Sequence, residues 1–164
     1  MADDVKPPGI LQVRIVWAAL LGSQALYLYL LVSGVFETPP EPPAPIMLTV
    51  VSAVAMVNGM ASIFLPRFLL GQALGRMSEH DRALVQQGRD AILRRAFTMG
   101  FPAYIIGIAL AEAVAIFGLV LGVMGFTLMT VLPFFAAGAV LTLTKFPTEG
   151  RFLAPLEEAL SRRS

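Results

Sequence analysis

Uncharged stretches alternate with short charged ones along the chain. Ile15 to Phe36 is a run of 22 residues without charge, bounded by Arg14 and Glu37. Ile46 to Pro66 is a second run, of 21 residues. Ala96 to Thr144 is a third, 49 residues long and interrupted only by Glu112. A helix needs about 20 mostly apolar residues to cross the hydrocarbon core of a bilayer. The first two runs therefore predict one crossing each, at about 15–36 and 46–66. The third is too long for one crossing and predicts two, at about 102–122 and 126–144, with Gly122-Val-Met-Gly125 as the turn. Pro102 suits the first turn of the third helix. Pro133 predicts a kink in the fourth, which Lys145 and Pro147 end.

The intervening segments have their own signals. Glu37 to Pro45 carries five prolines in nine residues, which cannot donate backbone hydrogen bonds, so an extended loop is expected. Ser78-Glu-His-Asp81 reads as a helix start, with a capping serine and acids at the positive end of the helix dipole. Leu84, Val85, Ile92, Leu93 and Ala96 then fall on roughly one face. An amphipathic helix over about 78–97 follows, either lying on the membrane surface or running into the third span. Arg151 to Ser164 is expected to form a short surface helix. The first apolar stretch is longer than a signal-peptide core and no A-x-A site follows it, so a retained helix is expected.

Composition agrees with this pattern. The chain of 164 residues is 57% hydrophobic and 14% charged, and its mean hydropathy is +0.76. A soluble domain is about half apolar and a quarter charged. The shortage of charge matters more than the apolar excess: too little is present to cover a water-exposed surface, so lipid must cover part of it. The fold class expected is all-α, a four-helix transmembrane bundle forming a single membrane domain over 1–164.

All twelve basic residues lie in the N-terminal, central or C-terminal segments, and none in the Pro-rich loop or the 122–125 turn. Four crossings place these two groups of segments on opposite sides. By the lysine and arginine bias, both termini are cytoplasmic. The lack of cysteine and the short loops point to a multi-pass protein of a bacterial inner membrane. Without cysteine there is no disulfide framework or thiolate metal site, and the single His80 cannot make a metal site by itself. The central segment has no phosphate-binding glycine motif and no catalytic triad pattern. Its arginines read as a topology signal rather than a nucleic-acid site. No enzyme activity and no cofactor are expected. The partners expected are the lipid bilayer and either other membrane subunits or further copies of the chain.

Glu112 is the residue that points to chemistry. It is the eleventh of 21 residues in the third span, near mid-bilayer, where an ionisable group costs at least ~2.5–3.5 kcal/mol. Burial disfavours the charged form, and a carboxyl that is neutral for part of the time can take up and release a proton. The competing role is a permanently protonated acid that only hydrogen-bonds a neighbouring helix. Gln24 and Asn58 lie within about one helical turn of Glu112 in depth, at ~1.5 Å per residue. They are its candidate polar partners, and Tyr27, Tyr29 and Tyr104 are further sources of hydroxyls. Gly107, Ala111, Ala115, Gly118 and Gly122 recur every three or four residues along one side of the third helix. Small residues let helices approach closely, so this stripe is expected to pack within the bundle, with packing between subunits as the alternative. Met47, Met56, Met60 and Met99 lack a Met-x-x-Met pattern and read as packing or lipid-facing residues.

Ala109-Leu-Ala-Glu-Ala-Val-Ala-Ile-Phe-Gly-Leu-Val120 resembles the carboxylate-bearing helix of the ATP synthase c subunit, the proteolipid of the rotor. Glu112, Ala113, Phe117, Gly118, Leu119 and Val120 match that helix in order. The basic segment Gly88 to Phe97 resembles the family's cytoplasmic loop side, so the likeness covers about residues 88–122. It implies that Glu112 is a proton-binding carboxyl. Ala113, where sodium-binding members tend to have Ser or Thr, implies protons rather than sodium. Two functions are thus expected to compete: proton binding or transfer at Glu112, and a structural or assembly role in a membrane complex without transport.

Overall fold

The computed structural model describes residues 9–36, 44–76 and 88–161. Most of the Pro-rich loop and the Ser78–Asp81 helix start lie outside them. Five helices follow one another: α1 (Ile10–Val32), α2 (Pro45–Gly75), α3 (Arg89–Val123), α4 (Leu128–Leu143) and α5 (Glu149–Ser161), with no strand among the described residues. Three of them, α1, α2 and α3, are long and apolar enough to cross a membrane. α4 has 16 residues, or ~24 Å at ~1.5 Å per residue.

Helix ends differ from the ends of the apolar runs. α1 starts upstream of Arg14, where the Gly9 N–H donates to the Gln12 side-chain oxygen at 3.0 Å. It ends at Val32, just before Gly34 takes a left-handed φ of 70°. α2 opens with Pro45 at its first position and continues past Pro66 to Gly75. α3 begins at Arg89, so Pro102 lies inside the helix and not in its first turn. The described part of the amphipathic segment, 89–97, therefore runs straight into the third apolar run. α1 stops short of the end of its run because the chain turns at Gly34, but the other shifts share one physical reason. Charge marks where the hydrocarbon stops, whereas backbone hydrogen bonding carries a helix on into the interface.

The α3–α4 turn is a Schellman motif. Gly125 has φ 94°, its N–H donates to the Gly122 carbonyl at 3.0 Å, and the Phe126 N–H donates to the Leu121 carbonyl at 3.1 Å. Leu121 and Phe126 belong to one apolar cluster, which is the hydrophobic contact this motif usually carries.

The small residues of α3 set the helix directions. A Cβ on Gly122, at the end of α3, would meet Leu31 at the end of α1, so the two run parallel. Gly118 faces Phe134 and Phe135 in the first half of α4, and Gly138, in its second half, faces Ala115 and the Ala111 carbonyl. Gly107, nearer the start of α3, faces Pro66 in the second half of α2. α2 and α4 are therefore antiparallel to α3, and the stripe packs within the chain against three different helices. The start of α1 and the end of α4 share one end of the bundle. There the Arg14 guanidinium sits 5.6 Å from the Phe146 ring centroid.

Two apolar clusters result. One gathers Phe97, Tyr104 and Ile108 of α3 with Val13 of α1 and Phe152, Leu153 and Leu156 of α5. The other joins Ala115 and Leu121 of α3 to Val131 and Phe135 of α4. α5 is amphipathic: Phe152 stacks on Phe97 at 4.5 Å between centroids, while Glu157 and Glu158 stay exposed. Much of the outer surface of α1 and α2 is apolar, including Leu26, Met56, Val57, Phe64 and Phe68. Exposed apolar surface on that scale is what a bilayer covers.

Candidate functional site

Glu112 lies on α3 between the two apolar clusters and is only 6% exposed. Its partners come from α1. Ser23 and Tyr27 are four residues apart, so both hydroxyls project from one face of that helix. Both reach the same carboxyl oxygen: Ser23 Oγ lies 2.5 Å from Glu112 Oε1, and the Tyr27 hydroxyl lies 3.1 Å from it. The other oxygen, Oε2, is buried and has no hydrogen-bond partner among the described residues. No basic side chain pairs with the carboxyl among the described residues.

Counting hydrogens at Ser23 reveals two arrangements. Its Oγ is 2.7 Å from the Leu20 carbonyl and 2.5 Å from Glu112 Oε1, and a hydroxyl has one hydrogen to give. If that hydrogen goes to Leu20, the contact with Oε1 needs a hydrogen from Glu112, so the carboxyl is an acid and donates to Ser23. If the hydrogen goes to Glu112, the carboxylate accepts from both Ser23 and Tyr27. In the second case a charged oxygen, Oε2, remains buried without a donor, which is costly in a low-dielectric interior. The Ser23 hydrogen thus has two acceptors in place, the Leu20 carbonyl and Glu112 Oε1, and which of them it serves depends on whether Glu112 carries a proton.

Next to this pair, Gln24 is buried and donates from Nε2 to Thr142 Oγ1 at 2.9 Å. Trp17 Nε1 donates to the Thr142 carbonyl at 2.8 Å. One threonine of α4 therefore receives two side chains of α1, while Gln24 Oε1 stays unpartnered. Asn58 turns back on its own helix and donates to the Val54 carbonyl at 2.9 Å. Of the residues expected at this depth, neither Gln24 nor Asn58 makes its hydrogen bond to Glu112. The expected tyrosines divide as well. Tyr27 joins the carboxyl, Tyr29 is exposed, and the Tyr104 hydroxyl is buried without a partner.

Ser23, Thr142 and Trp17 belong to this candidate site although the sequence pattern did not single them out. A signal was present for the serine: of the two hydroxyl pairs at helical spacing in the first apolar run, Ser23 with Tyr27 and Tyr29 with Ser33, the first lies at the depth of Glu112. Thr142 had none, because threonines also recur at 127, 130 and 144 in the same stretch. Among the described residues no group of three His, Cys, Asp or Glu side chains stands close enough to hold a metal. Comparison with protein-family models, with curated proteins and with solved structures finds no match to the chain.

Proposed function

We propose that the chain is a four-span protein of a cell membrane, with both ends cytoplasmic, in which Glu112 binds and releases a proton. One observation carries this: the Ser23 hydroxyl sits within hydrogen-bonding distance of both the Leu20 carbonyl and Glu112 Oε1. Either protonation state of the acid then has a hydrogen-bond arrangement ready, and no backbone movement is needed to pass between them. The likeness of Ala109–Val120 to the acid helix of an ATP synthase c subunit supports the same role for Glu112. The four-span topology is supported by the alternating helix directions and by the distribution of lysine and arginine. A rotor-like version adds an oligomer of this chain in the membrane. The exposed apolar faces of α1 and α2 leave surface for either lipid or neighbouring subunits.

The test is a reconstituted vesicle carrying an internal pH dye. Glu112→Gln keeps the shape of the side chain and removes the ionisable group. Proton flux that is present in wild type and absent in this variant supports the proposal. A carbodiimide, which attacks protonated carboxyls in apolar surroundings, is expected to label Glu112 in wild type.

A second function rests on its own observation. The bonds from Ser23 and Tyr27 to Glu112, and from Gln24 and Trp17 to Thr142, all fasten α1 to the rest of the bundle. In that case the acid serves only to hold helices together in a structural or assembly subunit. Glu112→Gln then changes assembly and no flux is measured in either protein.

A further inference from the structure

A cavity of about 680 Å³ opens away from Glu112, between the second half of α2, the first half of α3, the end of α4 and α5. Its wall is of two kinds. Ile63, Leu70, Ala103, Val140 and Phe152 make it largely apolar, while Arg67, Lys145 and Arg151 bring three basic groups into it. None of the described residues lining it is acidic. Ile63 and Val140 are 40% and 59% exposed, so apolar side chains of α2 and α4 flank the cavity at the outer surface of the bundle.

Its polar interior is poorly satisfied. Among the described residues Lys145 Nζ finds only neutral acceptors, Ser62 Oγ and the Leu141 carbonyl, each at 3.2 Å. The Arg151 guanidinium likewise donates, among the described residues, to the carbonyls of Thr144 and Phe146, at 2.9 and 3.4 Å. The Tyr104 residue is 7% exposed, and its hydroxyl has no partner. Burial, and secondarily the nearby Arg151, lower the Lys145 ammonium to a pKa of about 8. Three positive groups beside an unused hydroxyl and an apolar wall call for a ligand with one anionic end and one apolar end. Arg, Lys and Tyr are also the donors that hold phosphate and carboxylate oxygens through charge-assisted bonds.

We propose that this cavity binds an anionic amphiphile, with its phosphate or carboxylate head held by Lys145, Arg151, Arg67 and the Tyr104 hydroxyl and its apolar chain leaving past Ile63 and Val140. The head is the shared chemistry of two sources, a membrane lipid and a free anion. The apolar flank at the outer surface favours the lipid. This site is separate from Glu112 and does not depend on the role assigned there.

The test uses the full chain in detergent and exploits its lysine content, since Lys6 and Lys145 are the only lysines. An amine-acylating reagent is applied and the extent of reaction at each lysine is read by peptide mass. Mixed micelles in which phosphatidylglycerol nearly saturates the site are expected to slow acylation of Lys145 by about tenfold, because an amine held by the anionic head through a charge-assisted bond is not free to react. Micelles of phosphatidylcholine alone, and the reaction at Lys6, are expected to be unaffected. If inorganic phosphate protects Lys145 as well as phosphatidylglycerol does, the site takes a free anion and the lipid part of the proposal falls. If neither protects, the proposal is overturned. Arg67→Gln, at an exposed position, is expected to reduce the protection severalfold. Protection unchanged by Arg67→Gln and Arg151→Gln together overturns the assignment of the head to this cavity.

Discussion

The hydrogen shared at Ser23 makes a quantitative prediction through a double-mutant cycle. In wild type, Ser23→Ala leaves Glu112 with one partner, the Tyr27 hydroxyl at 3.1 Å, and removes the shorter contact of 2.5 Å. A buried polar group deprived of its partner costs about 1–3 kcal/mol. In a Glu112→Leu background the same change removes only the bond from Ser23 to the Leu20 carbonyl. That carbonyl keeps its place in the helical ladder of α1, so the expected loss is a few tenths of a kcal/mol. The coupling energy is therefore about 1 kcal/mol or more. Interhelical hydrogen bonds that merely hold membrane helices together average ~0.6 kcal/mol, so the size of the coupling separates a dedicated acid site from general adhesion. The assay is reversible unfolding of the purified protein from detergent micelles, followed by far-ultraviolet circular dichroism for wild type, both single variants and the double variant. Ser23→Ala costing the same in both backgrounds, within the ~0.3–0.5 kcal/mol expected of independent sites, refutes the shared hydrogen.

Four further outcomes are expected. Gly138→Ala places a Cβ 3.0 Å from Ala115 Cβ and 3.2 Å from the Ala115 backbone nitrogen; this overpacking is expected to destabilise by about 1–3 kcal/mol, whereas Gly22→Ala meets nothing within 4 Å and is expected to stabilise by about 0.5–1 kcal/mol, both read from unfolding midpoints. Phe152→Ala removes the ring stacked on Phe97 and is expected to cost about 3–5 kcal/mol, with protease sensitivity rising first in α5. Lys145 is lowered from 10.5 to about 8 by burial and by Arg151, so the unfolded chain binds more protons between those values and stability rises with pH across that window. The penalty on the charged amine is fully present below about pH 8 and gone above about 10.5; Lys145→Met is expected to flatten this dependence in unfolding curves measured from pH 7 to 10. Finally, the chain has no cysteine, so single cysteines at Ser161 and Thr127 report topology: an impermeant maleimide added outside intact cells is expected to label Thr127→Cys and not Ser161→Cys, and labelling of both from one side removes the four-span topology.

The helical class and the three long apolar spans were legible because composition and run length answer to a single solvent, the hydrocarbon core. Glu112 was legible for the same reason, as the lone charge in 49 residues. Its surroundings were less so. Depth along the bilayer normal follows from counting residues, but the direction a side chain faces around the helix does not. Asn58 shows the difference. It has the right depth, yet its amide bonds the carbonyl four residues back, a local choice open to such side chains in any helix. Gln24 shows it too, turning to Thr142 while its neighbour Ser23 takes the acid. Pro102 misled in another way. A proline at the edge of an apolar run resembles a helix start, but α3 had already begun at Arg89. Inside a helix the proline forfeits the bond to the Thr98 carbonyl and its ring crowds that carbonyl, a cost the packed helix carries. The α3–α4 turn was readable because Gly125 must take a φ of 94°, a conformation in which glycine has little competition.

Infrared difference spectroscopy of the protein in lipid, wild type against Glu112→Gln, tests proton exchange at the buried acid most directly. A carboxylic-acid carbonyl band that fades and returns as the bulk pH is cycled, shifts in Ser23→Ala, and is missing from Glu112→Gln is the predicted result. A Glu112 band that keeps its intensity at every pH at which the protein stays folded, or no such band at any pH, contradicts it.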